Sequence, residues 1–190
     1  MMDHIIHRNK LNAWCRQRAI EMALTDKHVR GWQTFLDSNC GYLLTMEDDA
    51  ALLPDTADTF LQALAILEQY SPEDDLVYFD LAGGLDTNGL QIGSLRRELE
   101  QNRFRRMSKI TTNTTCCFIM SRALVEDFAT RVQKRPQYRK VVSDWLINTL
   151  LIDQAATAQR PHYCLHAEPP IMIHGSIQGL YASTIRDMDD

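Results

Sequence analysis

Three consecutive acids, Glu47, Asp48 and Asp49, directly follow a short apolar segment at residues 42–46. Carboxylates about 4–6 Å apart repel each other and raise each other's pKa unless a cation lies between them. In extended or turn geometry Glu47 and Asp49 point the same way and Asp48 points the opposite way, so the outer pair can share one divalent ion. Oxygen ligands suit Mg²⁺ or Mn²⁺, which keep open positions for substrate phosphates. The alternative for these acids is a solvated turn at the end of a strand.

Two later residues carry groups that could complete such a site. Asp144 lies at the predicted start of a helix, where its carboxylate could act as a general base or cap the amides of the first turn. His174 directly follows the apolar segment 171–173 and could bind a metal or contact a diphosphate. An ordinary packing or surface histidine is the alternative for His174. We therefore predict Asp144 as the catalytic base, and Glu47, Asp49 and His174 as metal ligands.

A basic cluster is the third feature that could take part in binding or catalysis. Its members are Arg96, Arg97, Arg103, Arg105, Arg106 and Lys109. Arginine suits phosphate, so this segment could close over a diphosphate or hold an acidic acceptor. The alternative is a solvated helix with compensating pairs such as Arg96 with Glu100. For contacts to a bound nucleotide we predict Asp48, Arg106 and Ser176.

The composition indicates a globular domain and limits its partners. The chain has 190 residues, of which 45% are hydrophobic and 24% charged, so we expect one domain over residues 1–190. The net charge of −5 argues against a broad electrostatic grip on nucleic acid. Five cysteines without CxxC spacing favour free thiols in a reducing compartment. With no signal peptide and no apolar run near the roughly 20 residues that span a bilayer, we expect a cytoplasmic protein without a transmembrane segment. A peripheral membrane contact stays open.

Apolar periodicity predicts helices and strands that alternate along the chain. The predicted helices are 11–24, a separate helix that begins at an N-cap formed by Thr25 and Asp26, 57–69, a helix capped by Ser121, and 141–155. The predicted strands are 42–46, 76–81, 116–120 and 171–173, and residues 85–112 are predicted to be irregular. This alternation favours an α/β sandwich with a mixed sheet.

The acidic motif and its surroundings resemble glycosyltransferase family 25. The resemblance rests first on residues 24–32 (LTDKHVRGW) and 42–50 (YLLTMEDDA). Members of the family typically have a Ser-His helix with an aromatic residue four positions later, then an apolar strand and Glu-Asp-Asp. Here His28 and Trp32 keep that spacing, whereas Lys27 replaces the usual serine. For His28 itself we expect packing within its helix rather than metal binding.

Further similarities continue along the chain. Residues 75–78 (DLVY) look like the family's second strand, and 114–122 (TTCCFIMSR) resembles its Gly-Thr-x-Ala-Tyr-x-x-Ser-Arg segment. Residues 143–145 (SDW) resemble its later acidic motif. The resemblance covers roughly residues 24–175, and its most specific part is the Glu-Asp-Asp strand.

The resemblance implies a GT-A-like, Rossmann-like fold and a metal-dependent, inverting glycosyltransferase. Such an enzyme would move a hexose such as galactose from a UDP-sugar to a saccharide or glycolipid acceptor, in surface-glycan or lipopolysaccharide synthesis. Nothing in residues 1–23 matches the family's first strand with its Ile-Asn-Leu-x-Arg segment, so we expect an N-terminally truncated domain with an incomplete donor pocket. Two other functions stay open. One is a non-catalytic glycosyltransferase-like module that binds a glycan or a partner, and the other is a phosphoesterase that uses Glu47 and Asp49.

Overall fold

The computed structural model describes residues 2–54, 56–82, 97–100, 104–107, 115–157, 160, 162–167, 170–175 and 180, with side chains except at 2–11, 97–100, 104–107 and 155. The helices are α1 (Met2–Leu36), α2 (Ala57–Leu67), α3 (Arg122–Lys134) and α4 (Ser143–Thr157), and a 3-10 helix covers Pro136–Lys140. The strands are β1 (Tyr42–Met46), β2 (Ala50–Leu52), β3 (Leu76–Asp80), β4 (Arg97–Glu100), β5 (Phe104–Met107), β6 (Cys117–Ser121), β7 (His162–Ala167) and β8 (Met172–His174).

Six of the strands form one mixed sheet in the order β1-β6-β3-β7-β5-β4, and β2 pairs with β8 separately. Strands β3 and β7 are parallel, while β6 pairs antiparallel with both β1 and β3. Strands β1, β3 and β7 therefore run in the same direction, and their carboxyl ends lie at one edge of the sheet. The predicted α/β fold with a mixed sheet is confirmed. In α/β sheets, the edge at the carboxyl ends of parallel strands is where ligands usually bind.

Apolar cores cover both faces of the sheet. On one face, α1, α3 and α4 pack on side chains that include Leu76 and Tyr78 of β3. On the other face, α2 packs on side chains that include Val77 and Phe79. Every residue of β3 is buried, which explains why this strand is an almost continuous apolar run rather than an alternating one.

Strand β1 lies at one end of the sheet order, and among the described residues it pairs with β6 alone. Its side chains Leu44 and Met46 are 45% and 50% exposed. These two residues lie on the same face of the strand, because side chains alternate along it. Within the part of the chain that the structure describes, the outer backbone edge of β1 is therefore unpaired, and one face of the strand is apolar and exposed.

Helix α1 corrects the prediction of two separate helices. It continues through Thr25, which is buried and lies inside the helix rather than at an N-cap. The Thr25 hydroxyl contacts the carbonyl oxygens of Glu21 at 3.1 Å and of Val141 at 2.7 Å, so it serves as a donor and not as a cap acceptor. Although α1 has 35 residues, no helix in the described ranges is both long and apolar enough to cross a bilayer.

The basic region also differs from its prediction. Residues 97–100 and 104–107 form two antiparallel strands in which Arg97 is paired with Met107. The described part of this segment is therefore neither irregular, as we predicted for residues 85–112, nor the helix that we considered as the alternative. Strand β5 also pairs with β7 and thereby joins this hairpin to the main sheet.

Candidate functional site

The acidic motif lies in a tight turn directly after β1. The β1–β6 ladder ends at the pair Met46 and Cys117. The next amide, that of Glu47, donates to the carbonyl oxygen of Cys116 at 2.8 Å, which fixes the start of the turn. The amide of Ala50 then donates to the carbonyl oxygen of Glu47 at 3.1 Å and closes it. The sequence therefore leaves the sheet through a turn whose first residue is held by the ladder.

The small β2–β8 sheet brings His174 to this turn. Ala50 is paired with His174 in the register, and the amide of Gly175 donates to the carbonyl oxygen of Asp49 at 2.9 Å. The imidazole lies between the two outer carboxylates. Its Nε2 is 3.1 Å from Glu47 Oε2, and its Nδ1 is 2.9 Å from Asp49 Oδ2. The structure thus brings together the three residues that we predicted as metal ligands.

The three side chains fit a divalent metal ion. They offer two carboxylate oxygens and one imidazole nitrogen within 4.8 Å of one another, and all three are half-buried. A divalent ion would offset the repulsion between the two carboxylates and would bind one neutral ring nitrogen of His174. Because Mg²⁺ prefers oxygen ligands and Mn²⁺ also accepts imidazole, the donor set favours Mn²⁺.

A buried threonine links this cluster to Asp144. The hydroxyl of Thr115 contacts Glu47 Oε1, and it lies 3.0 Å from Asp144 Oδ1. One hydroxyl carries one proton, so it can donate to only one of these carboxylates. The two carboxylates of Glu47 and Asp144 therefore share this single donor.

The electrostatics of the two carboxyl groups agree with this arrangement. Burial raises the pKa of Asp144, and its hydrogen bond with Thr115 and the charge of His174 oppose the rise. Burial also raises the pKa of Glu47, and the charges of Asp144 and Asp49 add to the effect, while Thr115 and His174 oppose it. Both groups therefore hold a proton at a higher pH than an isolated carboxyl group does.

Asp48 lies apart from the cluster, at the rim of a cavity between α1 and β1. The cavity has a volume of about 510 Å³, and Lys27 and His28 of α1 also line it. This volume falls within the range of about 300–1,000 Å³ that is typical of small-molecule sites. His28 stacks on Phe118 of β6 with ring centroids 6.2 Å apart, and burial lowers the pKa of His28. His28 therefore packs as a neutral ring on the sheet, rather than only within its helix.

For the two other residues predicted to contact a nucleotide, the structure describes only a backbone position, and only for one of them. The backbone of Arg106 lies in β5, opposite Glu98 of β4 and Leu165 of β7. Its side chain, like the whole of Ser176, lies outside the described residues. Their predicted roles stay predictions.

Sequence reasoning missed three polar residues at this edge of the sheet. Thr115 is one, and the similarity of residues 114–122 to the Gly-Thr-x-Ala-Tyr-x-x-Ser-Arg segment, which aligns Thr115 with the threonine, was a usable signal. The others are Asp80 at the end of β3 and His166 in β7, which are paired in the register. His166 Nδ1 lies 3.5 Å from Asp80 Oδ2, and both side chains are buried. An acid that ends an apolar strand was a usable signal for Asp80.

Together, the fold and the site define a mixed α/β protein with a candidate divalent-metal centre at the carboxyl edge of its sheet. Comparison with models of protein families found no match for this chain. A search of curated proteins also found no match. Any assignment of function therefore depends on the residues of the site and on their geometry.

Proposed function

We propose that this protein is a metal-dependent, inverting glycosyltransferase that transfers a hexose from a UDP-sugar to a saccharide or glycolipid acceptor. The proposal includes a GT-A-like, Rossmann-like arrangement of the sheet. The observation that carries it is the convergence of Glu47, Asp49 and His174 at the end of β1. A bound Mn²⁺ or Mg²⁺ ion would supply Lewis-acid stabilisation of the charge on a departing diphosphate.

Asp144 is the proposed catalytic base. Its carboxylate lies beside the metal cluster, separated from Glu47 by the single hydroxyl of Thr115. When an acceptor hydroxyl attacks the anomeric carbon it loses its proton, and a carboxylate within about 2.6–3.2 Å can accept it. The raised pKa of Asp144 makes this carboxylate a stronger base than an exposed one. One base without a covalent nucleophile corresponds to a single displacement, which inverts the anomeric centre.

The cavity between α1 and β1 is the proposed position of the nucleotide. It opens beside Glu47 and Asp48, so a diphosphate at the metal cluster would continue into it. Lys27 supplies a cation on the α1 side of this cavity, and Asp48 supplies an acceptor for ribose hydroxyls on the opposite side. Leu24 and Leu43, which also line the cavity, add apolar surface for a base.

Calorimetric titration with Mn²⁺ and UDP tests the proposal. We expect UDP binding that requires Mn²⁺ in the wild-type chain, and at least about tenfold weaker binding after Asp49→Ala, because a metal ligand is lost. Asp37→Ala is the matched control, since Asp37 is an exposed acid after α1 and outside the site. Equal metal-dependent binding by wild type and Asp49→Ala would remove the basis for assigning Asp49.

Turnover is a separate measurement. We expect hydrolysis or transfer of a UDP-sugar above the rate without enzyme, and loss of this rate when a chelator is added. Metal-dependent UDP binding without any turnover would instead favour the non-catalytic module. Release of phosphate from a generic phosphate ester, without transfer of a sugar, would favour the phosphoesterase.

A further inference from the structure

Trp145 is an exposed aromatic residue directly beside the candidate base. It lies in the first turn of α4, immediately after Asp144, and is 61% exposed. The core side of α4 is formed by other residues, Leu146, Ile147, Leu150 and Leu151, which are each at most 1% exposed. The fold therefore does not use the indole of Trp145 to fill its core.

The backbone that carries this indole is firmly held. The amide of Leu146 donates to the carbonyl oxygen of Val142 at 2.7 Å, and the Thr149 hydroxyl donates to the carbonyl oxygen of Trp145 at 2.6 Å. Leu146 and Ile147, the next two residues, are anchored in the core. An indole has only two side-chain torsions, so little conformational entropy is lost when a ligand packs on it.

We propose that Trp145 is the platform on which a pyranose ring of the acceptor stacks while one of its hydroxyls reaches Asp144. This inference rests on the proposed glycosyltransferase function. A pyranose ring combines an apolar C–H face with a rim of hydroxyl groups, and the site offers a flat aromatic surface and a carboxylate on adjacent residues. Consecutive side chains on a helix point about 100° apart, so a ligand must be as wide as a sugar ring to pack its C–H face on the indole and bring a rim hydroxyl to Asp144.

The chain contains its own control for a binding experiment. It has three tryptophans, of which Trp14 in α1 is 63% exposed and Trp32 is only 1% exposed. Labelling with 5-fluorotryptophan gives one fluorine resonance for each, and Trp→Phe variants assign them. The probes are methyl β-galactopyranoside and methyl β-glucopyranoside, with sorbitol as a polyol that has no ring face.

The expected result is a saturable shift of the Trp145 resonance with at least one glycoside and none with sorbitol. The Trp14 and Trp32 resonances are expected to stay in place. Three results would overturn the proposal: no shift of the Trp145 resonance up to the solubility limit of both glycosides, equal shifts of the Trp14 and Trp145 resonances, or a shift with sorbitol alone.

Kinetics supply the second measurement. Trp145→Ala is expected to raise the acceptor KM on the order of 2- to 12-fold, as expected for one lost aromatic contact, while Trp145→Phe keeps most of the affinity. The donor KM and the rate of donor hydrolysis without acceptor are expected not to change. Ile152→Ala is the matched control, because Ile152 is 60% exposed on the same helix. An unchanged acceptor KM in Trp145→Ala, or an equal rise in Ile152→Ala, contradicts the proposal.

The two proposals can fail separately. A Trp145 resonance that responds to a glycoside in a chain without turnover supports the saccharide site and refutes the proposed enzyme. Conversely, the chain could show transferase activity while the Trp145 resonance does not shift and Trp145→Ala leaves the acceptor KM unchanged. That result supports the enzyme and refutes the stacking platform.

Discussion

Replacing Thr115 by valine tests how the shared hydroxyl affects the two carboxyl groups. Valine keeps the shape of the buried threonine but removes the hydroxyl that contacts Glu47 and lies 3.0 Å from Asp144. Each carboxylate then loses a partner that stabilised its ionised form. The pKa of Glu47 and the pKa of Asp144 must both rise further, because Thr115 lowers each of them in the wild-type chain.

The size of the effect follows from the energy of one hydrogen bond to a charged group, which is about 1.5–3 kcal/mol. At a pH where Glu47 is partly protonated, a loss of this size weakens the apparent affinity for Mn²⁺ by about 10- to 150-fold. The Glu47 side chain is 28% exposed, so solvent screens part of the interaction. We therefore expect the lower end, a loss of about tenfold in affinity.

Binding of Mn²⁺ at a series of pH values measures this effect without requiring turnover. Metal binding needs ionised Glu47, so the pH at which binding is half-maximal is expected to move upward in Thr115→Val, with an affinity about tenfold weaker below that midpoint. Thr157→Val is the matched control, because the Thr157 hydroxyl donates only to a backbone carbonyl at the end of α4. An unchanged or lowered midpoint in Thr115→Val would show that the hydroxyl does not stabilise the charged carboxylate.

Two further substitutions test stability. The raised pKa of Glu47 means that the folded chain binds the proton of this carboxyl group more tightly than the unfolded chain does. The stability that the bound proton contributes is present below the pKa of Glu47 in the unfolded chain, and it is lost as pH rises through the pKa of Glu47 in the folded chain. Glu47→Gln is therefore expected to raise the melting temperature of the metal-free chain at pH 7 and to abolish its stabilisation by Mn²⁺; a lower metal-free melting temperature contradicts this. Ser121→Ala removes a buried hydroxyl that accepts from the amides of Val77 and Leu124 at 2.9 and 3.4 Å. Loss of the cap and an unsatisfied amide should lower the free energy of unfolding by about 2–4 kcal/mol in urea titration, and a change below about 1 kcal/mol is contrary to this account.

Local sequence patterns were sufficient to predict the helices and strands whose ends and buried residues are determined by neighbouring residues. Strand β1 and the helix cap at Ser121 lie where the pattern predicts them, and the Ser121 side chain accepts from the amide of Leu124. Thr25 misled the prediction because a threonine before an acid is typical of an N-cap. Its actual partner, the carbonyl oxygen of Val141, is 116 positions away.

Strand β7 was missed for a related reason. It lies inside the main sheet between β3 and β5, yet it contains His162 and His166, which do not resemble the residues of a buried strand. His166 is buried beside Asp80, and only the parallel pairing of β3 with β7 brings the two together. No pattern within residues 162–167 contains that information.

The candidate site was likewise predictable only in part from local sequence. The spacing of Glu47 and Asp49 predicted that both would face one ion, and both contact His174. The role of Thr115 depends on where β6 begins relative to the end of β1, which is a property of the sheet register. The register of paired strands cannot be read from the residues that are next to Thr115 in the sequence.

The outer edge of β1 has a consequence for how this protein behaves in concentrated solution. Among the described residues, the outer side of β1 has unpaired backbone donors and acceptors close to exposed Leu44 and Met46, and such an edge is a template for strands of other chains. Many proteins protect such edges with lysine, proline or a bulge, and residues 42–46 contain neither lysine nor proline. Self-association through this edge would therefore begin next to the acidic turn and would cover the candidate metal site as the chain aggregates.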